Sequence, residues 1–372
     1  MDEGLSTSRM NNLMTHADSG ARRAVPASLC LFRLSAIGDC CHLVPVIRTL
    51  QSAWPDTRLT WVIGQTEAGL LGDLDGVECI TFDKKAGRRA LRQTLGQRHF
   101  DQLLLMQVAL RAGLASRVIR ASSRLGFDWA RSRDLHSLFI NQRIGRHPRA
   151  HVLEGFFDFL AALGIHQREL RWDIPIPPAA DARARSLIPD DQPTLVISPC
   201  SSQRVNNFRN WPVERYATLA AEAVRRHDMR VILSGGPSDE EQRYGEAITR
   251  QAGVPITPCI GQTSLKGLLA LLQRATVLVS PDSGPVHMAV AVGTPVIGLY
   301  ATSNPDRTGP YLERQWTVNR YPEAVRAALG REVEEVQWGQ RVRQPDAMEW
   351  IETDAVLERL DALMRTQKGH AL

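Results

Sequence analysis

Strand-sized apolar runs that break into polar loops and then into amphipathic helices recur in two series along this chain. That alternation is its strongest constraint on the fold. In the first series residues 29–34 read as a strand that breaks at Ser35-Ala36-Ile37-Gly38-Asp39. A helix follows, with Leu43, Val46, Ile47 and Leu50 at i, i+3, i+4 and i+7. Residues 58–63 and 101–106 read as further strands. The second series restarts at 194–198, with strands over 230–234, 277–280 and 296–300 and helices over 213–226 and 265–274. Short apolar strands alternating with amphipathic helices predict parallel sheets covered on both faces. The fold class expected is therefore α/β, with two Rossmann-like domains whose parallel sheets face each other across a cleft. Between the series, residues 174–193 hold Pro175, Pro177, Pro178, Pro189 and Pro193, the richest break in the chain and the expected hinge.

A length of 372 residues is too great for one ordinary core and suits two domains. The expected layout is a polar tail over 1–26, a first domain over 27–180, a second over 181–350, and a closing helix within 351–372 that crosses back to the first domain. Residues 1–26 lack the basic and apolar regions of a secretory signal, and no apolar run reaches 18 residues, so no spanning helix is expected. The 6 cysteines include no CxxC pair, which suits buried thiols in a reducing compartment, and adjacent Cys40, Cys41 and His42 are too cramped for a metal site. Net charge is +5, and nine arginines crowd residues 111–149. Guanidinium forks suit phosphate and carboxylate. Aromatic residues that could stack bases are sparse there, which argues against nucleic acid and for an anionic acceptor or an acidic membrane surface.

In parallel sheets ligands bind beyond the carboxyl ends of the strands. Four loops there carry candidate chemistry. Asp39 opens a helix and reads either as a cap or as a group facing the cleft. Ser280-Pro281-Asp282-Ser283-Gly284-Pro285-Val286-His287 enters a helix, where free N–H groups suit a diphosphate. Ser201, Ser202 and Arg209 offer hydroxyls and a cation after a strand. Glu240, after Gly235-Gly236-Pro237, could accept from ribose hydroxyls or merely begin a helix. There is no GxGxxG and no GxxxxGK[ST], and Asp73-Leu74-Asp75 matches the metal-binding DxD pattern by accident.

The order of these pieces resembles glycosyltransferase family 9, the ADP-heptose:lipopolysaccharide heptosyltransferases. The resemblance runs from Phe32-Arg33-Leu34-Ser35-Ala36-Ile37-Gly38-Asp39 through Arg209-Asn210-Trp211-Pro212, Leu233-Ser234-Gly235-Gly236-Pro237 and Gly261-Gln262-Thr263-Ser264-Leu265. It is strongest from Asp282 to His287 and on to Asn304-Pro305. It implies the two-domain GT-B architecture and an inverting transfer without metal or other cofactor, from ADP-heptose to the Kdo/heptose inner core of lipopolysaccharide. Asp39 matches the family's general base. Ser201, Ser202, Arg209, Glu240, Asp282, Ser283, Gly284 and His287 match its donor site. Arg111, Arg120, Arg131 and Arg133 fall where it meets an anionic, lipid-linked acceptor. The resemblance also implies a cytoplasmic protein, in peripheral contact with the inner membrane. Arginine at 209 and serine at 283 depart from the usual lysine and threonine. The alternatives are a GT-B enzyme with another sugar-nucleotide donor for surface glycans, and a catalytically silent nucleotide-binding protein.

Overall fold

The computed structural model describes residues 24–201 and 207–370. The first sheet holds β1 (Ser28–Phe32), β2 (Arg58–Gly64), β3 (Val77–Phe82), β4 (His99–Leu105), β5 (Arg120–Gly126) and β6 (Gln142–Arg143). The second holds β7 (Thr194–Ile197), β8 (Arg230–Leu233), β9 (Thr257–Pro258), β10 (Val277–Pro281), β11 (Val296–Tyr300) and β12 (Val318–Asn319). Their spatial orders are β3-β2-β1-β4-β5-β6 and β12-β11-β10-β7-β8-β9. Counted from its own first strand, each sheet runs 3-2-1-4-5-6, the doubly wound order. All pairings are parallel, and central strands are buried along their whole length, as in Leu31 beside Trp61 and Leu104. A parallel strand covered on both faces has no polar side to show, which is why β1, β7, β10 and β11 stand out in the sequence. β3 alternates and β5 reads Arg-Ala-Ser-Ser-Arg-Leu-Gly; these outer strands carry too little apolar pattern to be seen there.

The first domain's helices are α1 (Ile37–Ala53), α2 (Gln65–Leu71), α3 (Gly87–Leu95), α4 (Leu110–Ser116) and α5 (Val152–Ala162). The proline-rich break contains a helix, α6 (Pro178–Leu187), which starts on proline as helix first turns allow. It packs on α9 of the second domain, so the expected boundary at 180/181 falls inside an element of that domain. There follow α7 (Val213–His227), α8 (Asp239–Ala252), α9 (Leu265–Arg274), α10 (Gly284–Ala291), α11 (Pro305–Thr308), α12 (Tyr321–Leu329) and α13 (Thr353–His370). Ser238 and Ser264 cap α8 and α9 by accepting from the N–H groups of Glu241 and Gly267. Among the described residues no helix is long and apolar enough to cross a membrane.

One expectation is overturned. α13 does not cross back to the first domain; it packs on α7, β11 and β12 of its own domain. Val356, Leu357, Leu360 and Leu363 enter the second domain's core, and Asp361 pairs with Arg226 at 2.9 Å and His227 at 2.6 Å. The apolar face of α13 is satisfied by the nearest sheet, so nothing drives it across.

The domains meet through α1 and α10, and one apolar core runs from Leu31 and Val46 through to Val286 and Met288. A Cβ on Gly38 would lie 2.2 Å from Cδ2 of His287, so glycine alone admits this approach of the two helix starts. Trp172 Nε1 donates to the Cys41 carbonyl at 3.1 Å, and buried Arg48 donates to the Asp173 carbonyl at 2.9 Å. Together they tie the start of the interdomain segment to α1 and its surroundings.

Candidate active site

The doubly wound order places a topological switch between β1 and β4 in one sheet and between β7 and β10 in the other. Side chains from the loops after these four strands form the centre of the site, joined by residues that follow β5, β6, β8 and β11. After β1, Asp39 stands in the first turn of α1 with its side chain 32% exposed. α1 has no side-chain cap. The Asp39 carboxylate instead pairs with Arg33, whose Nη1 donates to the Met106 carbonyl at 2.6 Å and whose guanidinium lies 5.3 Å from the Phe156 ring. Gln107, after β4, accepts from the Leu34 N–H at 2.8 Å and donates to Ser35 Oγ at 3.4 Å, holding the Asp39 loop in place. Among the described residues no backbone N–H of α1 donates to the Asp39 carboxylate, which faces a cavity.

That cavity has a volume of about 660 Å³ and lies between the domains. Arg33, Asp39 and side chains from within 127–133 and 146–156 line it from the first domain, Arg307 and residues 337–339 from the second. Trp338 Nε1 donates across to the Ala150 carbonyl at 2.7 Å, and the Arg149 guanidinium lies 5.5 Å from the Trp338 ring.

In the second domain a continuous network joins four of the expected donor residues, Ser201, Arg209, Glu240 and Asp282. Ser201 Oγ donates to Asn207 Oδ1 at 2.7 Å, and the Ser201 N–H donates to Asn210 Oδ1 at 2.9 Å. Arg209 Nε donates to Asn207 Oδ1 at 3.2 Å, and its Nη1 donates to the Asp282 carbonyl at 2.9 Å and carboxylate at 3.3 Å. Asn210 Nδ2 reaches Glu240 Oε1 at 3.4 Å, while the neighbouring Glu241 folds back on Gly236 and Ser238. Asn207 and Asn210 are the hubs, and the sequence reading assigned them no role because asparagine between loops has no distinguishing pattern. Ser283 precedes α10 with its Oγ 2.8 Å from Ser280 Oγ, and Gly284 begins the helix against Ile37 of the first domain. Ser202 lies outside the described residues.

His287 is buried where the domains touch. Its ring packs edge-on to His42 at 4.5 Å, and His42 meets His151 at 5.2 Å. His151 caps α5 by accepting from the Leu153 N–H at 3.1 Å, and its Nε2 lies 3.1 Å from the Gly309 carbonyl of the second domain. Burial pushes the His42 imidazole well below the usual histidine range, helped by His287 and His151. It lowers His151 to about 4 and lowers His287 as well, against the pull of Asp282 and Asp39. Three neutral imidazoles thus form part of the domain interface. Cys40 and Cys41 lie buried in the same core, their thiols pushed up by burial.

The expected acceptor arginines part company. Arg133 is exposed on the cavity lining, and among the described residues no hydrogen bond or ion pair reaches its guanidinium. Arg131 also lines the cavity, but its guanidinium is committed to Asp128, to Asp158 at 2.9 Å and to the Gly145 carbonyl at 3.1 Å, so it builds the wall. Arg111 is exposed at the start of α4, outside the lining. Arg120 is a correction. It is the first residue of β5 and donates to Gln97 at 2.6 Å, at the amino edge of a parallel sheet and a strand's length of about 20 Å from the cleft edge. Spacing among arginines carried no information about which end of a strand each would occupy. Asp73 of the DxD match forms an ion pair with Lys266 of the second domain at 2.7 Å.

Residues 88–337 match the family model of glycosyltransferase family 9 (heptosyltransferase). The lipopolysaccharide core heptosyltransferase OpsX of Haemophilus influenzae is 37% identical over 341 residues, covering 91% of this chain and 97% of that protein. Among solved structures, a family 9 glycosyl transferase of Veillonella parvula superposes with a TM-score of 0.73 at 19% identity, covering 91% of this chain and 97% of its own. Escherichia coli heptosyltransferase WaaC with ADP gives 0.68 at 20% identity, covering 90% and 99%. These structures share the two-domain fold. With the family's sequence pattern over most of its length and a relative this similar end to end, the chain belongs to glycosyltransferase family 9, the heptosyltransferases.

Proposed function

We propose that this protein transfers a heptosyl group from ADP-heptose to the Kdo/heptose inner core of lipopolysaccharide, with inversion and without a metal. The observation that carries the reading is the opposition of two sites: the Asp39 carboxylate facing the cavity on the first domain, and a Ser201–Arg209–Asp282 network at the start of α10 on the second. Likeness to OpsX along nearly the whole chain supports the lipopolysaccharide core as acceptor, and the neighbour with bound ADP supports the nucleotide.

In this reading Asp39 takes the proton of an acceptor hydroxyl as its oxygen attacks the anomeric carbon. The new C–O bond forms as the bond to the β-phosphate oxygen breaks, and ADP leaves with the electron pair. Arg209 and the free N–H groups of α10 are fixed donors for the charge that develops on the diphosphate. Glu240 takes the ribose hydroxyls, and Arg133 contributes to acceptor binding. In this reading Arg209, fixed against Asp282, neutralises the diphosphate in a metal's stead. A cytoplasmic enzyme working peripherally at the inner membrane fits a lipid-linked acceptor, and the hinge between the domains would lie at the start of the proline-rich stretch 174–193, ahead of α6. The test is incubation of the purified protein with ADP-, UDP- and GDP-sugars and a Kdo-bearing lipid A acceptor, with the product's anomeric configuration determined. Transfer from ADP-heptose with inversion, persisting in excess EDTA, is expected. Turnover only with another nucleotide, or only after Mg²⁺ or Mn²⁺ is restored, would overturn it.

A further inference from the structure

Arg307 stands on α11 of the second domain, yet its side chain lines the cavity that holds Asp39. It is half-buried, and among the described residues no hydrogen bond or ion pair reaches its guanidinium. Its Nε lies 3.5 Å from where a Cβ on Gly339 would stand, in the segment that Trp338 ties across to Ala150. The anions nearby are already engaged. Asp39 pairs with Arg33, and Asp282 is shared by Arg209 at 3.3 Å and Arg341 at 3.8 Å. The other charges that Arg307 feels are those of Arg133 and Arg341, both repulsive. A desolvated guanidinium facing like charges is costly unless an anion joins it.

We infer that Arg307, together with Arg133 on the first domain, forms an anion site that takes a carboxylate of the acceptor beside Asp39. The inference rests on the glycosyl-transfer reading above and adds that the acceptor is gripped by both domains. The planar fork of arginine matches a carboxylate. The donor diphosphate is the other available anion, but it already has Arg209 and the start of α10, and Ser201, Arg209 and Asp282 lie outside the lining of this cavity. An anion held by Arg133 and Arg307 at once would also draw the two domains together on acceptor binding.

The test compares wild type and Arg307→Gln on the acceptor and on its methyl ester, with the ADP Kd and melting temperature measured on the same preparations. Esterification should cost the wild type about 10- to 100-fold in acceptor kcat/KM, the worth of a charge-assisted contact. Arg307→Gln should lose about as much on the free acid, show no further loss on the ester, bind ADP as before, and melt at the wild-type temperature or higher. A weakened ADP Kd with acid-over-ester discrimination retained would assign Arg307 to the diphosphate and overturn the inference. So would wild-type kinetics in the variant, or a melting temperature lower by several degrees, which would make Arg307 a structural residue. Absence of turnover by the wild type on either acceptor would sink the glycosyl-transfer reading and this inference with it. Turnover with unchanged discrimination in the variant sinks the inference alone.

Discussion

Acidification should weaken the domain interface through His151, whose environment is defined closely enough to give the size of the effect. The ring is 4% exposed. Its Nδ1 accepts from the Leu153 N–H, so a proton there would break the α5 cap. Around it stand His42 on α1, Tyr311 with its ring 5.2 Å away, Glu154 on α5, and Arg314, with His287 behind His42. Burial first, then Arg314 and His287, hold the imidazole down to about 4 from its ordinary 6.5, against the Gly309 carbonyl and Glu154. Above pH 6.5 the ring is neutral folded or unfolded, and its contribution to stability is complete. Between 6.5 and about 4 only the unfolded chain takes the proton, so stability falls as pH falls. The full gap corresponds to about 3 kcal/mol, of which about 2 kcal/mol is lost by pH 5. His42 and His287 act in the same direction. The assay is the midpoint of thermal or urea unfolding from pH 8 to 4.5 for wild type and His151→Asn. Asparagine keeps the capping oxygen and cannot titrate. The variant starts less stable at pH 8, but its loss by pH 5 should be smaller than the wild type's by about 2 kcal/mol. Equal losses in the two proteins would refute the assignment of this pH dependence to His151.

Asp39→Asn should bind ADP normally and lose about 10² to 10⁴ in kcat, the usual worth of a positioned base; a kcat near wild type would leave Asp39 as a partner of Arg33 and nothing more. Arg133→Ala should raise the acceptor KM by about 10-fold or more with the melting temperature unchanged. Arg131→Ala should instead lower the melting temperature, because Asp128 and Asp158 lose their shared partner; the opposite pattern would reverse these roles. Gly38→Ala forces a methyl group to within 2.2 Å of the His287 ring and should cost about 1–3 kcal/mol along with activity. Gly69→Ala, in α2 with open space around it, should be neutral or stabilising by up to about 1 kcal/mol, and a like effect of the two substitutions would discredit the close approach of α1 and α10.

Residue pattern alone determined the α/β class, the two-domain division and the strands that form the two sheet centres, since β1, β7, β10 and β11 are apolar on both faces and interrupted by loops. The same pattern marked the Asp39 loop, Arg209 and the Asp282 loop, because a parallel sheet delivers the carboxyl end of each central strand to one edge. Tertiary structure decided the rest. It set Arg120 at the far end of β5 and committed Arg131 to two aspartates; a count of arginines contains neither strand polarity nor partners. It turned α13 onto its own domain, where the nearest apolar face lies. Arg307 entered the cavity from the second domain through the packing of α1 on α10, a contact between residues some 250 positions apart that no local pattern encodes. Periodicity reports which face of an element is buried; which charges end up sharing a cavity depends on how the two domains dock.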